Sequence, residues 1–155
     1  MRPDAYFCEV KFSPMNTNKK ILVPTDFTKV SDTAIEHALL VASTIKASIH
    51  IMHVVDNKKH ITEARMKLEA LRERVKRENN VDIFTIARIG SIFEDIDKVA
   101  VEIEANLIIM GTHGMRGMQF LTGGRALKIV TESSVPFIVV QERDIRQHGY
   151  HKLVV

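Results

Sequence analysis

The chain has 155 residues, 45% of them apolar and 26% charged, a length that suits one globular domain burying roughly 68–70% of the surface its unfolded form would expose. A single cysteine excludes an internal disulfide scaffold, and the apolar content excludes a disordered chain. The formal charge of +3, from 22 Lys and Arg against 19 Asp and Glu, is too mild and too evenly spread to argue for nucleic acid.

Residues 1–18 sustain no period and carry Pro3 and Pro14, so they read as an extension laid on the domain. Met1 to Pro14 has no apolar core of signal-peptide length, and no apolar run reaches the about 18 residues of a membrane helix. A soluble cytoplasmic protein is expected, with Cys8 an incidental thiol. From Lys19 onward apolar runs of strand length alternate with amphipathic segments of helix length. The expected strands lie near 20–24, 48–55, 81–88, 106–110 and 136–140. The helices between them fall near 31–46, 60–79, 91–104 and 124–133.

The first helix sets Ala34, Ile35, Ala38, Leu39, Ala42 and Ile45 on one stripe behind Ser31 as N-cap. The second repeats the pattern with Ile61, Ala64, Leu68, Leu71 and Val75. His50 and His53, three apart on the second strand, project to opposite faces and read as ordinary sheet residues rather than as metal ligands. The third helix opens on Ser91-Ile-Phe-Glu94, the spacing of a capping box.

Strands alternating with helices call for a parallel sheet covered on both faces. The expected architecture is therefore a three-layer α/β sandwich of order 3-2-1-4-5, in which the all-apolar Leu107–Met110 is central and the mixed Val81–Arg88 is an edge. Winding reverses between strands 1 and 4, and doubly wound sheets bind ligands beyond the carboxyl ends of their strands at such a point. The candidate site lies between Pro24-Thr25-Asp26 and the segment after Met110.

That segment, Gly111 to Gly124, holds five of the chain's seven glycines and is about twice or more the usual two to six residues of a strand-to-helix connection. Glycines let a backbone approach a ligand closely, and the loop ends at a helix N-terminus suited to phosphate; the bland alternative is a floppy surface loop. The spacing is not the G-x-G-x-x-G of a dinucleotide fold, and no P-loop, G-x-S-x-G elbow or H-E-x-x-H helix is present.

The chain resembles a universal stress protein domain over Lys19–Gln141. The likeness is carried by K-K-I-L-V-P-T-D-F-T at the first strand, H-V-V-D after the second, M-G-T-H-G after the fourth and V-P-F-I-V-V-Q at the end. The ATP-binding branch of that family carries G-x2-G-x9-G-[S/T], and Gly111, Gly114 and Gly124 fall at its positions, with Arg125 where the family has Ser or Thr. The resemblance implies an adenine-nucleotide ligand, ATP with or without Mg2+. Asp26 and the Val54 backbone would contact adenine, Pro24 and Thr25 would line that pocket, and Met110 would pack near the base. Gly111, His113, Gly114 and Gly124 would hold ribose and phosphates. Independently of the family, a carboxylate just past a central strand can accept a hydrogen bond from an exocyclic amine; the alternative for Asp26 is a cap or turn residue before the first helix.

Arg125, in the first helical turn, is disfavoured by the helix dipole by roughly 0.3–1 kcal/mol unless an anion lies beside it. A bound phosphate would reverse that sign through a charge-assisted hydrogen bond of about 1.5–3 kcal/mol. Otherwise the side chain points into water, and Thr122 could supply the missing hydroxyl only after a register shift. No general base or acidic metal ligand set is evident, so no catalytic residue is assigned and any ATP hydrolysis is expected to be slow.

Strand 136–141 is nearly all apolar yet falls at the sheet end, where something should cover it. The family resemblance implies a dimer through this strand. Residues 142–155 are first polar, as a linker should be, and then turn apolar: His151-Lys-Leu-Val-Val155 echoes Lys19-Lys-Ile-Leu-Val23, which is compatible with the start of a second repeat or with an ordinary tail. Two functions stay open at this stage. One is a stress-response protein acting by nucleotide occupancy and dimerisation; the other is an interaction module of the same fold that binds no nucleotide.

Overall fold

The computed structural model describes residues 18–111, 131 and 133–140. The expected extension ahead of Asn18, the loop beyond Gly111, most of the helix at 124–133 and the segment from Gln141 onward lie outside the described residues.

The elements run β1 (Lys19–Pro24), α1 (Lys29–Ile45), β2 (Ala47–Val55), a short 3-10 turn (Lys58–His60), α2 (Ile61–Glu78), β3 (Ile83–Ile89), α3 (Ile92–Glu102), β4 (Leu107–Gly111) and β5 (Phe137–Val140). The five strands form one sheet of order β3-β2-β1-β4-β5. Every pairing is parallel, with Ile21 level with Ile49 on one side and Leu107 on the other. The α/β fold and strand order thus match the expectation from the sequence, with β4 inside the sheet and β3 at its edge.

Alternation along the strands sends side chains to two cores. On one face Ile21, Val23, Ile49, Ile51 and Ile109 pack against Ala34, Ile35, Ala38 and Ala42 of α1 and Leu68, Leu71 and Val75 of α2. On the other, Leu22, Met52 and Ile108 pack against Ile96, Val99 and Ala100 of α3. The small residues of α1 let its axis lie close on the sheet, and the stripe predicted from spacing is the stripe that is buried. The polar face of α2 carries ion pairs such as Lys67 to Glu63 at 2.7 Å, and Arg74 reaches Asp32 of α1 at 2.9 Å.

Two helix caps differ from the sequence expectation. The first helix begins at Lys29 with Thr28 as its cap, because the Thr28 hydroxyl accepts the Ser31 N–H, while Ser31 itself is buried inside the first turn. The third begins where expected, after an extended Ser91, but the returning carboxylate is not Glu94: Asp95 Oδ2 accepts the Ser91 N–H at 2.9 Å. That carboxylate occupies the space a side chain on Gly90 would need.

His37 is buried on α1, and burial pushes its imidazole below the ordinary histidine value. His50 moves the same way, through burial first and the nearby Lys20 charge second. Both groups bind protons more readily in the unfolded chain, so their contribution is full above the ordinary histidine pKa and is lost as pH falls from there through the lower folded values. Urea unfolding followed from pH 7 to pH 5 should show falling stability, with a shallower fall in His37→Gln; identical slopes in the two proteins would contradict this assignment.

Candidate functional site

Because β1 lies between β2 and β4, the carboxyl ends of these three strands form neighbouring parts of one rim. The chain leaving β1 is held there by a compact hydrogen-bond network. Thr25 N–H donates to the Met52 carbonyl at 2.7 Å, prolonging the β1–β2 pairing by one residue. The buried Thr25 hydroxyl donates to Ser31 Oγ at 3.0 Å and accepts the Phe27 N–H at 3.0 Å, and Ser31 Oγ donates to the Thr28 carbonyl at 2.8 Å. The P-T-D-F-T sequence therefore folds as a turn stitched to the first turn of α1.

Asp26 stands at the exposed crest of this turn. Its Oδ1 accepts the Thr28 hydroxyl at 2.5 Å and the Thr28 N–H at 3.1 Å, so the residue serves as a turn acceptor ahead of the helix as well as presenting a carboxylate to the rim. Partial burial, the largest single influence, acts to raise its pKa, but the hydrogen bonds from Thr28, Ser31 and its own backbone together outweigh it and hold the carboxyl below its usual range.

The predicted site residues divide as follows. Pro24 and Thr25 are buried beneath the rim, whereas Val54 and Met110 are half-buried at the ends of β2 and β4 and pack on the α3-side core. Gly111 closes β4, and a Cβ placed on it would come within 2.5 Å of the Val30 carbonyl oxygen and 2.8 Å of Val30 Cγ1. Its lack of a side chain is what lets the end of β4 meet the first turn of α1, bringing Gly111 beside the turn that carries Asp26. His113, Gly114, Gly124 and Arg125 lie outside the described residues.

The rim thus carries an acidic acceptor, Asp26, past the end of β1 and half-buried apolar side chains, Val54 and Met110, at the ends of its two neighbours. Among the described residues no three His, Cys, Asp or Glu side chains converge on a possible metal position, and no helix is long and apolar enough to cross a membrane.

The sequence reads His53 as an ordinary sheet residue, but the structure ties it to the turn after β1. Its Nδ1 lies 2.7 Å from the Thr25 carbonyl oxygen, and its ring is tilted 48° against Phe27 with centroids 4.5 Å apart. The available signal was its place at the carboxyl end of β2, on the face where Ile49 and Ile51 are fully buried. His50 lies on the opposite face, stacked on Phe84 at 4.9 Å and 3.3 Å from Ser48 Oγ.

Two consequences are measurable. Gly111→Ala must displace backbone rather than a flexible side-chain tip, and should cost about 1–3 kcal/mol in urea unfolding; a value within 0.3 of wild type, on the order of measurement error, would refute the close contact. The depressed pKa of Asp26 contributes stability above the ordinary carboxylate range that is lost as pH falls through that range to the folded value, so wild type should lose more on acidification than Asp26→Asn.

The profile of the Universal stress protein family matches residues 17–141. A universal stress protein of Methanocaldococcus jannaschii is 29% identical over 143 residues, spanning 82% of this chain and 84% of that protein. A universal stress protein crystallised with cAMP superposes at a TM-score of 0.66 with 18% identity, covering 80% of this chain and 97% of the other. One from Archaeoglobus fulgidus in complex with dAMP gives 0.63 with 18% identity, covering 79% and 98%. With the fold, the strand order and a family match over most of its length, the chain belongs to the universal stress protein family.

Proposed function

We propose that this protein binds an adenine nucleotide, ATP with or without Mg2+, in the crevice beyond β1, β2 and β4. In this reading it acts in the cytoplasm, in a stress-response or signalling role, through nucleotide occupancy and dimerisation rather than turnover. The observation that carries the reading is the Asp26 carboxylate, fixed by Thr28 at the end of the central strand between the half-buried Val54 and Met110. An ionised carboxylate is an acceptor only, which suits the exocyclic amine of adenine, and the apolar neighbours suit the base. The cAMP and dAMP bound by the two structural relatives support the same ligand class.

Gly111, His113, Gly114, Gly124 and Arg125 are the proposed ribose and phosphate side of the site. The guanidinium of Arg125 takes the place of the family hydroxyl there. Dimerisation is assigned to strand 136–141, where Val139 is 47% exposed on an edge strand. Residues 1–18 and 142–155 flank the domain as an extension and a linker or the start of a second repeat. The substitution at Arg125 also favours a second reading, in which the crevice has lost its nucleotide and the fold serves pairing alone.

One experiment separates the two. Purified protein is heat-denatured, its supernatant chromatographed for released nucleotide, and the refolded or nucleotide-stripped protein titrated calorimetrically with ATP and MgCl2. The expected result is released adenine nucleotide or calorimetric binding in wild type, weakened about tenfold or more in Asp26→Ala, in line with loss of a hydrogen bond to a charged group. An empty wild type with no heat of ATP binding favours the pairing module.

A further inference from the structure

We propose that His53 is a positioning residue for the nucleotide crevice, one whose ring holds both neighbours of Asp26; the ligand it serves rests on the adenine-binding reading above. On β2 the side chains of Ile49, Ile51 and His53 share a face, and the first two are fully buried and apolar. His53 breaks that apolar row at the level where β1 gives way to the turn.

The chemistry of the contact fixes its direction. A backbone carbonyl only accepts, so the 2.7 Å contact between Nδ1 and the Thr25 oxygen requires the proton on Nδ1. The neutral ring is then the Nδ1–H tautomer with Nε2 as its acceptor, and the bond to Thr25 persists whether or not Nε2 is protonated. The same ring supports Phe27 from 4.5 Å. Phe27 has a φ of 62°, a left-handed conformation that a bulky residue keeps only when its surroundings impose it. Those surroundings are the His53 ring, the Phe27 N–H bond to Thr25 Oγ1, and the Lys67 ammonium 5.9 Å from the Phe27 ring centroid.

Asp26 sits between these two held residues. One imidazole thus fixes the carbonyl before it and the side chain after it, and through them the direction in which the carboxylate leaves the backbone. His53 needs no contact with ligand for this role. Removing it would let Phe27 relax toward negative φ and carry Asp26 off the rim.

The test uses the whole chain with His53→Leu, which keeps bulk without a donor, and His53→Asn, whose amide nitrogen can replace Nδ1 as donor. ATP binding in the presence of MgCl2 should weaken roughly tenfold in His53→Leu and recover to within about threefold of wild type in His53→Asn, the scale of one hydrogen bond. In a double-mutant cycle, His53→Leu should add little once Asp26→Ala is present, because the effect passes through Asp26. In ligand-free wild type, nitrogen-15 NMR should place the neutral-ring proton on Nδ1, and the Phe27 and Thr28 amides should exchange faster in His53→Leu.

Wild-type ATP affinity in His53→Leu, full additivity in the cycle, or a proton on Nε2 of the neutral ring would overturn the proposal. A wild type that binds no adenine nucleotide overturns the ligand assignment instead. The ligand-free tautomer and exchange measurements then still decide whether His53 holds the turn, and the wild-type tautomer alone decides it if His53→Leu fails to fold.

Discussion

The structure depends on a constraint at its centre: β1 is hydrogen-bonded to β2 on one side and to β4 on the other, and neither neighbour follows it directly without a helix between. With both edges satisfied and both faces buried, the strand has no freedom to slip, since a one-residue shift would turn Ile21 and Val23 away from α1 and α2. Its carboxyl end must therefore emerge at a fixed height between two parallel neighbours, where the crossovers diverge to opposite sides of the sheet. The crevice is a by-product of that divergence, and the sequence places its acidic residue two positions past the end of β1.

What sits on this rim is polar chemistry doing two jobs. The Asp26 carboxylate caps its own turn through Thr28 and stands exposed at the mouth. The Thr25 hydroxyl, by contrast, is buried with its partners Phe27 N–H and Ser31 Oγ inside the fold, which is why a hydroxyl is tolerated there. The arrangement is pre-formed in the chain's own hydrogen bonds. The turn that carries Asp26 therefore has little backbone ordering left to undergo on any contact.

Strand periodicity and apolar runs made the sheet legible before any coordinates, because in a doubly covered parallel sheet a central strand such as Leu107–Met110 must be apolar throughout and an edge such as Ile83–Ile89 need not be. The helix stripes were legible for the same reason. The caps were not, since Thr28 and Ser31 are both good cap residues and Glu94 and Asp95 are both close enough in sequence to return to Ser91; only the extended backbone at Thr28 and the curl of Asp95 toward Ser91 choose between them. At the site, Asp26 could be singled out from its position after the first strand, whereas its bond to Thr28 and the part played by His53 depend on how the turn closes. Neither spacing nor composition encodes a left-handed phenylalanine.

Gly111 carries a mechanical consequence. With the Val30 carbonyl oxygen filling the space a side chain on Gly111 would need, the exit of β4 and the opening turn of α1 have little slack between them. Any push of α1 toward the sheet must be met by the strand end, and any push on the strand end must be felt by the helix that Thr28 caps. The two walls of the crevice thus abut at this point, so that compression applied at one would register at the other.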